Sequence, residues 1–321
     1  MNTGKLHVSA HWRAGCLARL ETRLDRPQLA PLLEGQSAAQ VGLCVPLFYS
    51  LCRHAQGLAA GAALAAAAGR PAPPPAHSVL WQETLHEHLW RLLLDWPAAL
   101  DLAAAPDACA AWRKQRTAPT PALLSATAAL FDTVLGVTPS GQVRPAGLAA
   151  RCLAALGSAP ALAPVGLDLP DPEAWLARQA DASPMVAADP LAELDAIATP
   201  ASPGVAYARQ LANAHAAWQA LAAGHPYPLR LAAWPHTRRG LAFTHTARGW
   251  LAHEVVLTPA ARVSRYRIWA PTDRRFASAA GLARQLAALP ALDAATLRRQ
   301  LELAILALDP CLPWQIDWTE D

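Results

Sequence analysis

The feature that most limits how this chain can fold is the apolar stretch Val45–Gly69, VPLFYSLCRHAQGLAAGAALAAAAG. It is long enough to suggest a membrane span, but Arg53, His54 and Gln56 interrupt it, and charged groups at that depth are costly in lipid. We therefore expect a buried helix whose Ala and Gly residues let neighbouring backbones approach closely. Within this stretch alone, Cys52 is best explained as a small buried hydrophobe, the commonest state of a free cysteine.

Composition and charge restrict the class of protein. The 321 residues are 53% hydrophobic and 16% charged, which excludes a disordered chain and allows a substantial core. The net charge of +3 is dispersed, without a Lys/Arg block, so we expect no nucleic-acid partner. The N-terminal residues lack the apolar segment of a signal peptide, which predicts a cytoplasmic protein that does not span the membrane.

The six cysteines include no C-x-x-C pair. This spacing excludes a zinc ribbon, and in a reducing compartment a disulfide framework is not expected. The six are Cys16, Cys44, Cys52, Cys109, Cys152 and Cys311.

The hydrophobic periodicity predicts an α+β protein, with a mainly helical body and a small antiparallel sheet, in a single domain over residues 1–321. An alternating pattern predicts an N-terminal hairpin that turns at Arg13–Gly15 and is a candidate edge of that sheet. The proline-rich, weakly periodic region 158–200 is expected to be a long loop. The segments in order are the hairpin 5–24, the helical body 25–225, the strand region 229–270 and the C-terminal helices with the D-P-C end 277–321.

One predicted helix, Ser78–Asp95, carries histidines and acidic residues, SVLWQETLHEHLWRLLLD, with Ser78 placed as its N-cap. His86 and His88 lie two residues apart, on different helix faces, so they are not a ready-made metal pair. We expect an amphipathic core helix here. Further helices are predicted at 107–115, 119–135, 144–157, Ser202–Ala223, Ala277–Leu289 and Asp293–Leu308.

Two segments near opposite ends of the chain resemble the cysteine motifs of the nickel–iron hydrogenase large subunit. VPLFYSLCRHAQ lies over the family's R-x-C-G-x-C-x-x-x-H motif, with Cys52 at its second cysteine. DPCLPWQID lies over D-P-C-x-x-C-x-x-H, with Cys311 at its first cysteine. In the family the two cysteine pairs hold the metal centre, since thiolates suit such metals. The resemblance therefore implies that Cys52 and Cys311 are metal ligands in a degenerate large-subunit fold.

A third segment, THTARGWLAHEVVL followed by YRIWAPTDRRF, resembles the family's E-A-P-R-G-x-x-x-H and V-P-T-x-W-N. In the family these turns surround the two cyanide ligands on iron. By position, the resemblance gives this role to Ala247, Arg248, Pro271 and Thr272. A guanidinium, a hydroxyl and backbone N–H groups suit anionic cyanide. Without the resemblance, Arg248 would be a surface arginine and Thr272 a turn residue.

The departures from the family are selective. Tyr49 and Trp314 stand where the other two cysteines belong, so each half-site keeps one thiol. The positions of the first motif's arginine and histidine hold Leu47 and Gln56, and Asp317 replaces the second motif's histidine. The family's R-I-E-G-H is matched here by WRAGC, in which Ala14 replaces a glutamate that moves protons, so that relay is absent.

A large-subunit-like chain with these departures resembles the HupK/HoxV-type accessory proteins of hydrogenase maturation. The resemblance implies a non-enzymatic scaffold that transiently holds the Fe(CN)2(CO) fragment between Cys52 and Cys311, with no nickel. The implied partners are a HypC-type chaperone, a HypD-type assembly protein and the hydrogenase large-subunit precursor.

Two alternatives remain at this point. A metal-free pseudo-subunit would bind the large subunit or its chaperone, with Trp314 and Trp318 filling the old metal cavity. An enzyme with a Cys52–His54 nucleophile is the weakest alternative, because residues two apart on a helix do not face each other.

Overall fold

The computed structural model describes residues 4–117, 120–158, 200–287 and 293–320. Nearly all of the loop predicted at 158–200 lies outside these residues. Along the described residues lie a hairpin, a series of helices, four strands, further helices and a last strand. The helices are α1 (Leu29–Leu33), α2 (Ala38–Phe48), α3 (Arg53–Ala67), α4 (His77–Trp90), α5 (Trp96–Ala99), α6 (Pro106–Lys114), α7 (Thr120–Leu130), α8 (Leu148–Ala155), α9 (Pro203–Ala222), α10 (Pro271–Arg275), α11 (Ala280–Ala287) and α12 (Ala294–Leu308).

The prediction that Val45–Gly69 forms one buried helix is wrong. The stretch contains the end of α2 and all of α3. Pro46 lies in the last part of α2 and lacks the N–H that would continue the helical hydrogen bonding. The chain then leaves the helix at Tyr49, whose backbone is extended. Helix α3 starts again because the Glu83 carboxylate accepts hydrogen bonds from the backbone N–H groups of His54 and Ala55.

Seven strands form two separate sheets among the described residues. One sheet is antiparallel, in the order β3-β4-β5-β6, and the other has the order β2-β1-β7. The strands are β1 (Lys5–Arg13), β2 (Cys16–Asp25), β3 (Leu229–Trp234), β4 (Arg239–Thr246), β5 (Gly249–Leu257), β6 (Val263–Trp269) and β7 (Trp314–Glu320).

The expectation that the hairpin joins the four-stranded sheet is wrong. β1 pairs with β2 on one side and in parallel with β7 on the other, where Leu6 lies opposite Trp314. Strand β7 was not predicted, although WQIDWTE alternates apolar and polar residues. Because β7 takes the free edge of β1, the two ends of the chain meet in one small sheet.

Helix α3 lies against β4 at very short range, which confirms the predicted close approach of small residues. A Cβ added at Gly240 would lie 2.1 Å from the carbonyl oxygen of Ala63 and 2.4 Å from the backbone nitrogen of Ala67. No side chain larger than hydrogen fits between these backbones. This contact fixes α3, and with it the position of Cys52, against the sheet.

Helix α4 differs from the expected amphipathic core helix. It begins at His77, so Ser78 is not its N-cap. Its buried face carries Glu83, Glu87 and His88, and the π-helical turn that follows it buries Arg91. Glu87 and Arg91 line a cavity that Cys311 also lines. Among the helices described, none combines the length and apolar character that crossing a bilayer requires.

Candidate functional site

Cys52 and Cys311 line the same small cavity, together with Tyr49 and Arg26. Cys52 is the N-cap residue of α3, and Cys311 follows the end of α12. The cavity has a volume of about 70 Å³, which is room for a few water-sized molecules. The fold therefore brings together the two cysteines that the motifs single out.

Arg26 forms a cationic wall of this cavity, and sequence reasoning did not identify it. Its guanidinium pairs with Asp273 and lies 5.9 Å from the ring centroid of Tyr49. Burial raises the pKa of the Tyr49 phenol, although Arg26 opposes this, so the hydroxyl stays protonated. The residue that replaces a cysteine of the motif is thus a neutral phenol.

The sulfur of Cys52 has a neutral hydrogen-bond donor. Gln56 Nε2 donates to Cys52 Sγ over 3.7 Å, and Gln56 Oε1 lies 2.8 Å from His253 Nε2. His253 Nδ1 in turn lies 2.8 Å from the Tyr266 hydroxyl. Sequence reasoning missed His253 and Tyr266, although His253 stands at the histidine of the R-G-x-x-x-H match.

Burial raises the pKa of the Cys52 thiol, and the nearby Cys311 and Glu83 raise it further, while Arg248 opposes them. Without a metal, Cys52 is therefore a protonated thiol at neutral pH. A metal bound here would displace that proton, because the thiolate is the ligand.

Two buried arginines hold the turn that carries Cys311. Arg91 Nε donates to Asp309 Oδ1 over 2.7 Å, and its Nη2 donates to the carbonyl oxygen of Pro310 over 2.5 Å. Arg248 Nε donates to the carbonyl oxygen of Asp309 over 3.0 Å. Asp309 adopts a left-handed backbone conformation, which an aspartate tolerates better than most residues. The D-P-C segment is thus a turn with fixed backbone polar groups.

Arg248 is a buried residue, not a surface arginine, with 5% of its area exposed. Its Nη2 donates to Glu87 Oε2 over 2.9 Å, whereas its buried Nη1 has no hydrogen-bond partner among the described residues. Buried donors are rarely left unpaired in proteins. Arg248, Cys311 and Trp314 line a second cavity, of about 580 Å³. The site therefore retains a guanidinium donor for an acceptor group.

The carboxylates around Arg248 are held in their charged form. Burial alone would raise the pKa of Glu87, but Arg248 and His86 lower it to about 2. Burial likewise opposes ionisation of Asp309, but Arg248 and Arg91 lower its pKa. Burial raises the pKa of Glu83 to about 7, although hydrogen bonds from the His54 and Ala55 N–H groups and the charge of Arg116 oppose this.

The other residues matched to the cyanide turns lie next to the site. Ala247 precedes Arg248 in the β4–β5 turn, and Pro271 begins α10. The Thr272 hydroxyl accepts a hydrogen bond from the backbone N–H of Cys311 over 3.0 Å. Ala247, Pro271 and Thr272 line neither of the two cavities. Thr272 therefore positions the Cys311 backbone, a role that the motif match did not suggest.

The two tryptophans near the C-terminus occupy different places. Trp314 lines the larger cavity, while both Trp314 and Trp318 pack against the core beneath the β2-β1-β7 sheet. Within the described ranges, no group of three or more His, Cys, Asp or Glu side chains is arranged to hold a metal ion. Cys52 and Cys311 meet at the smaller cavity as a pair of thiols.

The fold is that of nickel–iron hydrogenase large subunits. The structure of the nickel–iron–selenium hydrogenase of Desulfovibrio vulgaris Hildenborough in its reduced state matches with a TM-score of 0.55, covering 93% of this chain and 94% of that chain. An NAD+-reducing nickel–iron hydrogenase matches with a TM-score of 0.50, covering 92% and 93%. The sequence identities are 12% and 15%, so these matches establish the fold alone.

The sequence relatives are closer. The chain is 34% identical to the hydrogenase expression/formation protein HupK of Azotobacter vinelandii, covering 98% of each chain. It is 30% identical to HoxV of Cupriavidus necator, covering 92% of each, and 31% identical to HupV of Azotobacter chroococcum, covering 98% of each. No family model matches the sequence. The chain belongs to the family of HupK/HoxV hydrogenase expression/formation proteins.

Proposed function

We propose that this chain is a non-catalytic scaffold in nickel–iron hydrogenase maturation, which transiently holds the Fe(CN)2(CO) fragment before its transfer to the large-subunit precursor. The observation that carries the proposal is the meeting of Cys52 and Cys311 at one cavity, beside a guanidinium with an unpaired buried donor. The printed names of the relatives, hydrogenase expression/formation proteins, support a role in making a hydrogenase.

The donor set suits such a cargo. Thiolates of Cys52 and Cys311 would hold the iron, which favours soft sulfur ligands when it carries cyanide and carbonyl. Arg248 Nη1 is the donor available to a cyanide nitrogen, because charge-assisted hydrogen bonds to anions are strong. Thr272 fixes the Cys311 backbone by accepting its N–H hydrogen bond. The Ala247 backbone, next to Arg248 in the β4–β5 turn, would lie with Thr272 around the cyanides.

The missing ligands argue against a catalytic hydrogenase. Tyr49 and Trp314 supply no thiolate for nickel, and the Tyr49 phenol stays protonated. Ala14 cannot accept a proton where the family has a glutamate. The chain is therefore suited to carry an iron fragment and not to bind nickel or turn over hydrogen.

The partners follow from this role. A HypC-type chaperone and a HypD-type assembly protein would supply the iron fragment, and the large-subunit precursor would receive it. Each exchange would take place in the cytoplasm, without nucleic acid.

The second candidate, a metal-free pseudo-subunit, is favoured by an exposed apolar surface on α2. Leu43 and Leu47 are 74% and 73% exposed, and Phe48 and Leu51 continue this surface towards the cysteine cavity. Contiguous exposed apolar residues often mark a protein-binding surface. In this role the chain would bind the large subunit or its chaperone, and the two thiols would have no ligand function.

Infrared spectroscopy on protein purified from cells that contain the maturation machinery tests the proposal. Cyanide and carbonyl bands are expected in the native protein and should be lost in Cys52→Ala and Cys311→Ala. Cys44→Ala is a matched control, because Cys44 is also partly buried but lies outside both cavities.

Two outcomes would contradict the iron-scaffold proposal: a native protein without these bands, or bands that survive both cysteine substitutions. Co-purification with the large-subunit precursor separates the second candidate. A pseudo-subunit should still bind the precursor when both cysteines are alanine.

A further inference from the structure

Three buried side chains connect Cys52 to the four-stranded sheet. Gln56 lies on α3, His253 on β5 and Tyr266 on β6, and none is more than 2% exposed. The hydrogen bonds run from the Tyr266 hydroxyl to His253 Nδ1, from His253 Nε2 to Gln56 Oε1, and from Gln56 Nε2 to Cys52 Sγ. Their lengths are 2.8, 2.8 and 3.7 Å.

The direction of this chain of hydrogen bonds is set at its far end. Among the described residues, the Tyr266 hydroxyl has one hydrogen-bond partner, His253 Nδ1. Buried hydroxyl protons need an acceptor, so Tyr266 donates to Nδ1 and the ring proton of His253 is on Nε2. Nε2 then donates to the Gln56 carbonyl oxygen, which leaves the amide N–H pointing at Cys52.

The reverse direction is less favourable. With the Gln56 amide turned around, His253 would donate from Nδ1 to Tyr266, and the buried phenolic proton would lose its acceptor. These three hydrogen-bonded side chains also carry no charge, because burial lowers the pKa of His253 to about 3 and keeps the ring neutral. The sheet therefore holds a neutral N–H donor against the Cys52 sulfur.

We propose that Tyr266, His253 and Gln56 are positioning residues that make the sulfur of Cys52 a hydrogen-bond acceptor, the role of a metal-bound thiolate. Outer hydrogen bonds of this kind orient and stabilise metal ligands. The proposal rests on the function proposed above, in which Cys52 is an iron ligand. Cys311 differs, since what the structure fixes there is its backbone, through Thr272 and the two arginines.

Alkylation of the metal-free protein by iodoacetamide, at one fixed, mildly alkaline pH, tests the proposal. Peptide mass spectrometry gives the rate at Cys52 relative to Cys311 in the same molecules. In Tyr266→Phe and Gln56→Met this ratio is expected to fall about three- to tenfold, because the reactive thiolate of Cys52 loses a stabilising hydrogen bond.

Tyr207→Phe is the matched control, because Tyr207 is a buried tyrosine on α9 that lines neither cavity. Its ratio should equal that of the native protein. A general loosening of the core would expose Cys52 and raise the ratio, the opposite sign. If Gln56→Met does not fold, Tyr266→Phe, which removes one hydroxyl, decides the question alone.

An unchanged or increased ratio in folded Tyr266→Phe would overturn the proposal and leave these contacts as ordinary core hydrogen bonds. The infrared experiment tests the cargo separately from the alkylation experiment. If native protein from cells with the maturation machinery lacks cyanide and carbonyl bands, the proposed cargo is wrong, while the alkylation ratio still reports the donor at Cys52. If bands are present, Tyr266→Phe should shift their frequencies and Tyr207→Phe should not.

Discussion

Cys52 and Cys311 line the same cavity, but different kinds of interaction hold them there. Around Cys311, the ionised groups Arg91, Arg248 and Asp309 fix the backbone of a turn. Around Cys52, neutral groups contact the sulfur itself, through Gln56. Charged groups thus fix the backbone of the turn that carries Cys311, whereas a neutral amide N–H contacts the sulfur of Cys52.

The two environments should also differ in their tolerance of substitution. Removing one member of a buried ion pair leaves a charge without compensation and typically costs about 3–5 kcal/mol. Removing one neutral hydrogen bond typically costs about 1 kcal/mol. Substitutions in the two environments should therefore differ in their effect on the free energy of unfolding.

The largest effect is expected for Asp309→Asn. Asparagine keeps an acceptor oxygen and tolerates the left-handed backbone, but the buried Arg91 and Arg248 lose their shared counter-charge. We expect the free energy of unfolding to fall by about 3–5 kcal/mol, measured by denaturant titration.

Asp101→Asn is a close control for this substitution. Asp101 also has a left-handed backbone, but its side chain is 74% exposed and pairs with Arg299 at the surface. Its loss should cost less than about 1 kcal/mol. Equal losses in the two variants would show that the arginine-held turn contributes no more than a surface ion pair.

An intermediate, pH-dependent effect is expected for Glu83, which shares the buried face of α4 with Glu87. Burial raises the pKa of folded Glu83 to about 7 from an ordinary value of 4.5. Because its pKa is raised in the folded state, Glu83 contributes stability that is fully present below pH 4.5. This stability is lost as the pH rises towards 7. At Glu87, Arg248 and His86 outweigh burial and lower the pKa to about 2. The stability that this lowered pKa provides is present above pH 4.5 and is lost as the pH falls below that value.

Glu83→Gln should therefore change the slope of unfolding free energy against pH between 4.5 and 7. In the native protein Glu83 lowers stability across this interval by up to about 3 kcal/mol, and the variant should lack this decrease. Glu87→Gln should lose stability throughout the interval with no change of slope. Parallel curves for native protein and Glu83→Gln, with exposed Glu34→Gln as reference, would contradict the assignment.

The smallest effect is expected for Thr272→Val, which keeps the shape of the side chain but removes the acceptor of the Cys311 N–H. The free energy of unfolding should fall by about 1 kcal/mol in denaturant titration. Thr237→Val, at an exposed turn, provides the baseline. A loss as large as that of Asp309→Asn would place Thr272 among the main supports of the turn.

Much of the fold could be predicted from the sequence, because local patterns report local structure. The periodicity predicted a strand region at 229–270, and four antiparallel strands lie there. Pro46 is a local signal for the end of α2, but the start of α3 at Arg53 could not be predicted in the same way, because Glu83 caps α3 from a different helix. The pairing of β7 with β1 was missed for the same reason, since it joins the two ends of the chain.

The candidate site shows a similar division. The cysteine motifs and the R-G turn pointed to Cys52, Cys311 and Arg248, which the structure places around adjoining cavities. The motifs could not indicate that Arg91 and Asp309, which are 218 residues apart, form an ion pair. Nor could an apolar strand indicate that His253 would face Gln56. Long-range partners of buried polar groups depend on packing that periodicity does not encode.

The contact of Gly240 with α3 has a consequence for how the chain can vary in length. Strand β4 touches α3 at Gly240 and leads at its other end into the turn of Arg248, while α3 leads back to Cys52. The distance between the Cys52 sulfur and the Arg248 guanidinium therefore depends on the number of residues in α3 and in β4. A deletion of one residue in either element would rotate or reverse the side chains beyond it. Insertions or deletions in α3 or β4 should therefore move Cys52 relative to Arg248, whereas substitutions that keep the two lengths should not.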